Sequence, residues 1–231
     1  MRTEARPPRR IWPWIALGSV AIVAAAAVVI AFAVNGSNSS ETPAAGPTTQ
    51  APQPSSTSVP DSAPTGCLGG SARDAAMLLA AQQQAQHTSN GAVELTASFV
   101  RWLYQFPQPT GEEADQVSAA LFASTAAPGF TDLRAGFAAV PNSSNGVVAD
   151  GVPFYRSTVP GVWHIESAEA DRVTVSVGTA YVIDGALSTT FRSVSTFTLV
   201  WEDNAWKVEG GDIQRTTEEM FQIGTPFTGG C

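Results

Sequence analysis

Lysine is almost missing from this chain, present only as Lys207, while histidine and cysteine occur twice each, as His87 and His164 and as Cys67 and Cys231. These scarcities narrow the chemistry. Neither pair joins a Cys, His or carboxylate cluster with ligand spacing, so no metal and no cofactor is expected. A Gly-rich phosphate loop and a nucleophile elbow are also lacking. Charge is sparse at 14% of residues, and 20 Asp and Glu outnumber 12 Lys and Arg.

Two segments are extreme in what they lack. Ile11 to Val34 contains no charged residue. At about 1.5 Å per helical residue, such an apolar run crosses roughly 30 Å of hydrocarbon with some tilt, which predicts a transmembrane helix over 11–34. Arg2, Arg6, Arg9 and Arg10 precede it and the next basic residue is Arg73, so residues 1–10 form a basic cytoplasmic tail and the remainder is exported. Trp12 and Trp14 suit the headgroup level beside that cluster. Ala31-Phe32-Ala33 offers a signal-peptidase pattern, but the apolar run exceeds the roughly 7 to 15 residues of a cleaved signal, which favours a retained signal anchor.

The second segment, Asn35 to Gly66, contains no aromatic, Lys or Arg residue and only Glu41 and Asp61 as charges. It cannot bury enough apolar surface to offset chain entropy, and its Ser, Thr and Pro content predicts a disordered, semi-stiff stalk over 35–66. Beyond the apolar run, eight basic residues face 19 acidic ones, a net charge of −11. That balance argues against a nucleic-acid partner or an anionic membrane surface.

Residues 67–231 remain as one extracytoplasmic domain. Cys67 and Cys231 bracket it, and an oxidising location favours a disulfide between them, worth roughly 5 kcal/mol at most in the chain-entropy account. Lipidation of Cys67 is the alternative, disfavoured because Pro64-Thr65-Gly66 is not the apolar run such a cysteine requires.

The first half of the domain reads as helical. Ser71 is a candidate N-cap for a helix running to about Gln86, and Asn90 for a second that carries Leu95, Phe99 and Leu103 every four residues until Pro107. Thr110-Gly111-Glu112-Glu113 is a capping box opening a third, and Phe130 to Val140 suits a fourth, short helix before a turn-rich loop at 141–146.

The second half changes period. Val173, Val175, Val177 and Tyr181 share one strand face, and Phe191, Phe197, Leu199 and Trp201 share another, joined by an Asp184-Gly185 hairpin turn. Trp163 to Glu166 begins a strand that pairs with Arg172 to Ile183 across a turn near Ala170-Asp171. Trp201 to Val208 is a tight hairpin with a tryptophan on each arm. The fold class is therefore α+β: three or four helices, then an antiparallel meander. In the tail from Asp212, Thr216 to Phe221 leans helical.

Helices packed on a bent antiparallel sheet, ending in Leu199-Val200-Trp201-Glu202-Asp203-Asn204-Ala205-Trp206-Lys207-Val208, resemble the nuclear-transport-factor-2-like or cystatin-like fold. Small exported bacterial members share a similar last hairpin, with Gly or Asp more usual where Asn204 stands. The resemblance covers roughly Ser71 to Gly211 and implies a cone-shaped domain. Some enzymes of that fold place a carboxylate or an Asp/His pair in the cone, which singles out Asp132, His164, Asp184 and Glu209. Each has a plainer role, at a helix start, beside Trp163, in a turn and at a strand end, so no catalytic residue and no enzyme is expected.

Anchor, stalk and cone together look like the plan of inner-membrane assembly factors of conjugation and type IV secretion systems, and of Mce-associated membrane proteins of actinobacteria. The first likeness implies a plasma-membrane, single-pass scaffold acting by protein contact with other membrane or envelope proteins, or as a homo-oligomer. The second implies an accessory to a lipid transporter. A third expectation is a carrier of an apolar small molecule inside the cone, lined by Phe99, Trp102, Leu103, Phe197 and Trp201. Trp102, Trp201 and Trp206 equally suit a plain core.

Overall fold

A computed structural model describes residues 61–231; the expected tail 1–10, transmembrane helix 11–34 and stalk as far as residue 60 lie outside the described residues. Among the described residues no helix is long and apolar enough to cross a membrane.

Helices come first. They are α1 (Ala75–Gln84), α2 (Ser89–Leu103), α3 (Gly111–Leu121), α4 (Pro128–Thr131) and α5 (Leu133–Ala139), with a two-residue strand β1 (Gln105–Phe106) after α2. The meander follows as β2 (Phe154–Ala168), β3 (Arg172–Ile183), β4 (Ala186–Glu202) and β5 (Ala205–Asp212), then α6 (Thr217–Ile223) and β6 (Thr225–Pro226). All pairings are antiparallel in the order β1-β2-β3-β4-β5, with β6 added beside β2. Bulges in β2, β4 and β5 bend the strands, and the sheet curls into a half-barrel.

Several local expectations need correcting. The caps are Asp74, whose carboxylate accepts from the Met77 amide at 2.8 Å, and Thr88, whose hydroxyl accepts from Gly91 at 3.0 Å, not Ser71 and Asn90. The Arg101 guanidinium donates to the carbonyls of Gly70 and Ala72, which holds the Ser71 segment outside the helix. Helix α1 stops at Gln84 rather than Gln86 because Ala85 turns extended, and α2 stops at Leu103, before Pro107, where Tyr104 leaves helical geometry. The expected fourth helix is two pieces, since Asp132 leaves helical geometry after α4 and caps α5. Strand β2 begins at Phe154, nine residues before Trp163.

Other features agree. Thr110 and Glu113 form the capping box of α3, and Thr216 and Glu219 form a second on α6. The hairpin turns place Asp184 and Gly185 at φ 49° and 77°, and Asp203 and Asn204 at 54° and 61°. Both pairs sit in the left-handed region that a two-residue primed turn needs, where Asn serves in place of Gly. Cys67 and Cys231 are disulfide-bonded with Cα atoms 5.4 Å apart.

The core lies between α1, α2, α3 and one face of the sheet. Val173, Val175, Val177, Phe197, Leu199, Trp206 and Val208 meet Leu78, Leu95, Phe99, Trp102 and Leu121 there. Phe191, expected on the same face, is 46% exposed because residues 188–191 have no partner on β3. The opposite face alternates to Thr174, Ser176, Gly178, Thr196 and Thr198 and is covered in part by α6. A Cβ at Gly178 would sit 2.9 Å from the Phe221 ring and 3.2 Å from Met220, so glycine there admits α6.

Candidate functional site

The four residues weighed for catalysis fall on separate elements. Asp132 accepts from the Ala135 amide at 2.9 Å as the cap of α5. Asp184 stands in the β3–β4 turn. Glu209 occupies the β5 bulge, ion-paired to Arg172 and accepting from Thr125 at 2.9 Å. The Arg172 hydrogen bond, with Thr125 and the Arg172 charge, outweighs desolvation and holds its carboxyl below the usual glutamate range. His164 is on β2, its Nε2 4.0 Å from Glu166. Nothing brings these four together. Among the described residues, no three His, Cys, Asp or Glu side chains gather as metal ligands would.

Of the five residues weighed as pocket lining, Phe99 and Trp102 are fully buried and Phe197 nearly so, within the core. Phe99 meets Phe197 edge-on at 5.0 Å and Trp102 packs against Phe137 at 5.8 Å. Leu103 and Trp201 are partly buried against the same cluster. The Trp201 ring stacks on His87 at 4.1 Å and meets Trp206 edge-on at 5.4 Å. His87 is 2.9 Å from Asp171, and Trp206 donates to the Gln86 carbonyl at 2.7 Å, so the end of α1 is clasped to the β2–β3 and β4–β5 hairpins.

The polar face of the sheet carries a carboxylate network. Glu166, whose side chain is 8% exposed, accepts from Arg215 at 2.7 and 2.6 Å and from Ser176 at 2.7 Å; Ser176 in turn lies 2.7 Å from the Thr196 hydroxyl. Burial pushes the Glu166 carboxyl up, but the hydrogen bonds from Arg215 and Ser176 and the Arg215 charge outweigh it and leave it below its ordinary value.

On the helix side, beyond the end of α2, lies a groove of about 270 Å³ flanked by Tyr104, Phe130, Arg156, Ser195, Phe197 and Asp212. Arg156 is only 3% exposed. Its guanidinium lies over the Tyr104 ring at 3.5 Å and donates to Ser195 Oγ at 2.8 Å and, at 3.5 Å, to the Tyr181 hydroxyl; its Nε–H has no acceptor among the described residues. Sequence reasoning missed this site because it began β2 at Trp163. The available signal was a lone cation in Phe154-Tyr155-Arg156-Ser157-Thr158-Val159, a stretch otherwise of strand-forming residues.

The chain matches no family model, no curated protein and no solved structure.

Proposed function

We propose that this chain is a membrane-anchored, non-enzymatic scaffold whose domain acts outside the cytoplasm by contact with other envelope proteins, in the manner of the assembly factors of conjugation and type IV secretion systems. The observation that carries this reading is the filled interior. Phe99 and Trp102, expected to line the cavity of an apolar-ligand carrier, are fully buried and pack against each other, Phe197 and Phe137 of α5. A core packed in this way favours the surface as the working part, and contact between proteins requires surface alone. The Cys67–Cys231 bond fits an oxidising compartment.

The test has two parts. Reporter fusions before residue 11 and after residue 231 should report opposite sides of the membrane. The full chain, purified in detergent after crosslinking in cells, should show by light scattering a mass above the monomer, either as a homo-oligomer or with a stoichiometric envelope protein. A monomer without partners that co-purifies with a lipid would overturn the scaffold reading in favour of a carrier.

A further inference from the structure

We propose that the Arg156 groove is a binding site for a small organic carboxylate carried on a short apolar or aromatic body. This proposal does not depend on the scaffold reading. Its starting point is an imbalance of charge. Eight basic side chains lie among the described residues, and four of them, Arg134, Arg172, Lys207 and Arg215, have a carboxylate within 4.0 Å. Of the other four, Arg73 and Arg101 each direct one guanidinium nitrogen to backbone carbonyls, Arg101 leaving its other N–H groups without an acceptor among the described residues but away from the groove's lining, and Arg192 lies over the Phe221 ring. Arg156 is buried and lines the groove.

Acids outnumber bases in the domain, so a shortage of carboxylates does not explain why Arg156 has none within 4.0 Å among the described residues. A guanidinium withdrawn from water without a counter-charge is costly. The rings of Tyr104 and Tyr181 and the Ser195 hydroxyl offset part of that cost, and Nε–H still lacks an acceptor among the described residues. The planar fork of an arginine matches a carboxylate in geometry as well as charge. The groove is also lined by the partly exposed ring of Phe130, which suits an apolar body. Its volume, below the usual range for drug-sized ligands, admits a small metabolite and not a long acyl chain. Asp212 at the rim disfavours a second negative charge, which separates a carboxylate from a phosphate dianion.

The test is isothermal titration calorimetry on the full chain in detergent micelles with phenylacetate, its neutral isostere phenylacetamide, and phenyl phosphate. Phenylacetate should bind at least about tenfold more tightly than either of the others, as expected for a charge-assisted pair in a partly dry site. Arg156→Met should abolish that preference, while Arg192→Met, which removes an equal charge from the other face, should leave it intact. Two rim changes protect the test should Arg156→Met fail to fold. Asp212→Asn should tighten phenylacetate by roughly two- to threefold, and Ile213→Asp, at a position 78% exposed, should weaken it by a similar factor. Equal binding of the amide, preference for phenyl phosphate, affinity indifferent to both rim changes, or no heat at millimolar phenylacetate would each overturn the proposal.

Discussion

The two faces of the sheet are held by different physics. Toward α1, α2 and α3, β3 presents Val173, Val175 and Val177, which are fully buried and meet aromatic rings. Toward α6 the same strand presents Thr174 and Ser176, which lie 3.0 and 2.7 Å from the hydroxyls of Thr198 and Thr196. Burial of apolar surface is non-directional and strong, whereas a hydrogen bond exchanged with water nets only about 0.5–1.5 kcal/mol. The helix side should therefore set global stability and the α6 side should open first.

The largest effect expected on that contrast is from Phe99→Ala, which deletes a fully buried ring and should cost about 3–5 kcal/mol in chemical denaturation. Replacing both cysteines by serine should cost about 2–4 kcal/mol, given the 164-residue separation they close. Hydrogen exchange in that variant should rise first in α6 and in residues 225–231. Glu166→Gln removes the charge that Arg215 and Ser176 address and should cost roughly 1–3 kcal/mol, with exchange increased in α6 and unchanged in α2. A loss as large as that of Phe99→Ala would break the comparison.

The same carboxylate gives the polar face a pH dependence. Glu166, Glu209 and Glu219 are all held below their ordinary value of 4.5 in the fold. A depressed carboxyl contributes stability that is fully present above its unfolded value and is lost as pH falls through the folded one. Melting temperature should therefore drop as pH falls below about 4.5, and Glu166→Gln should flatten part of that drop. The smallest effect concerns the two capping boxes: Thr110→Ala and Thr216→Ala should each cost about 1 kcal/mol. The first should register in the global transition, and the second chiefly in local exchange of α6.

What the sequence disclosed follows from how local each signal is. The capping box at Thr110 and Glu113, the Asp184-Gly185 turn and the Trp201 to Val208 hairpin are written in contiguous residues, and they stand as read. Ser71 and Asn90 are as able to cap as Asp74 and Thr88, so the choice fell to distant contacts: Arg101 on the loop at 70–72, and Thr88 Oγ1 donating to Asp61 at 2.8 Å. The first half of β2 was hidden by Pro160-Gly161, which interrupts the strand pattern where the sheet bends. The Glu166–Arg215 pair spans 49 positions, and the Arg156 groove needs the end of α2, β2 and β4 at once. Neither leaves a trace in local periodicity.

Cys67 and Cys231 also fix how the domain would respond to being pulled. The residues just before Cys67 are already fastened: Glu94 on α2 accepts from the Thr65 amide and hydroxyl and from the Gly66 amide, and the Pro64 carbonyl accepts from the Thr228 amide. Tension arriving along the lead-in segment therefore meets α2 and the C-terminal strap together. It then passes through a covalent bond to Cys231, whose carbonyl accepts from Thr158 on β2. The load therefore reaches α2 and β2 together and does not fall first on α1.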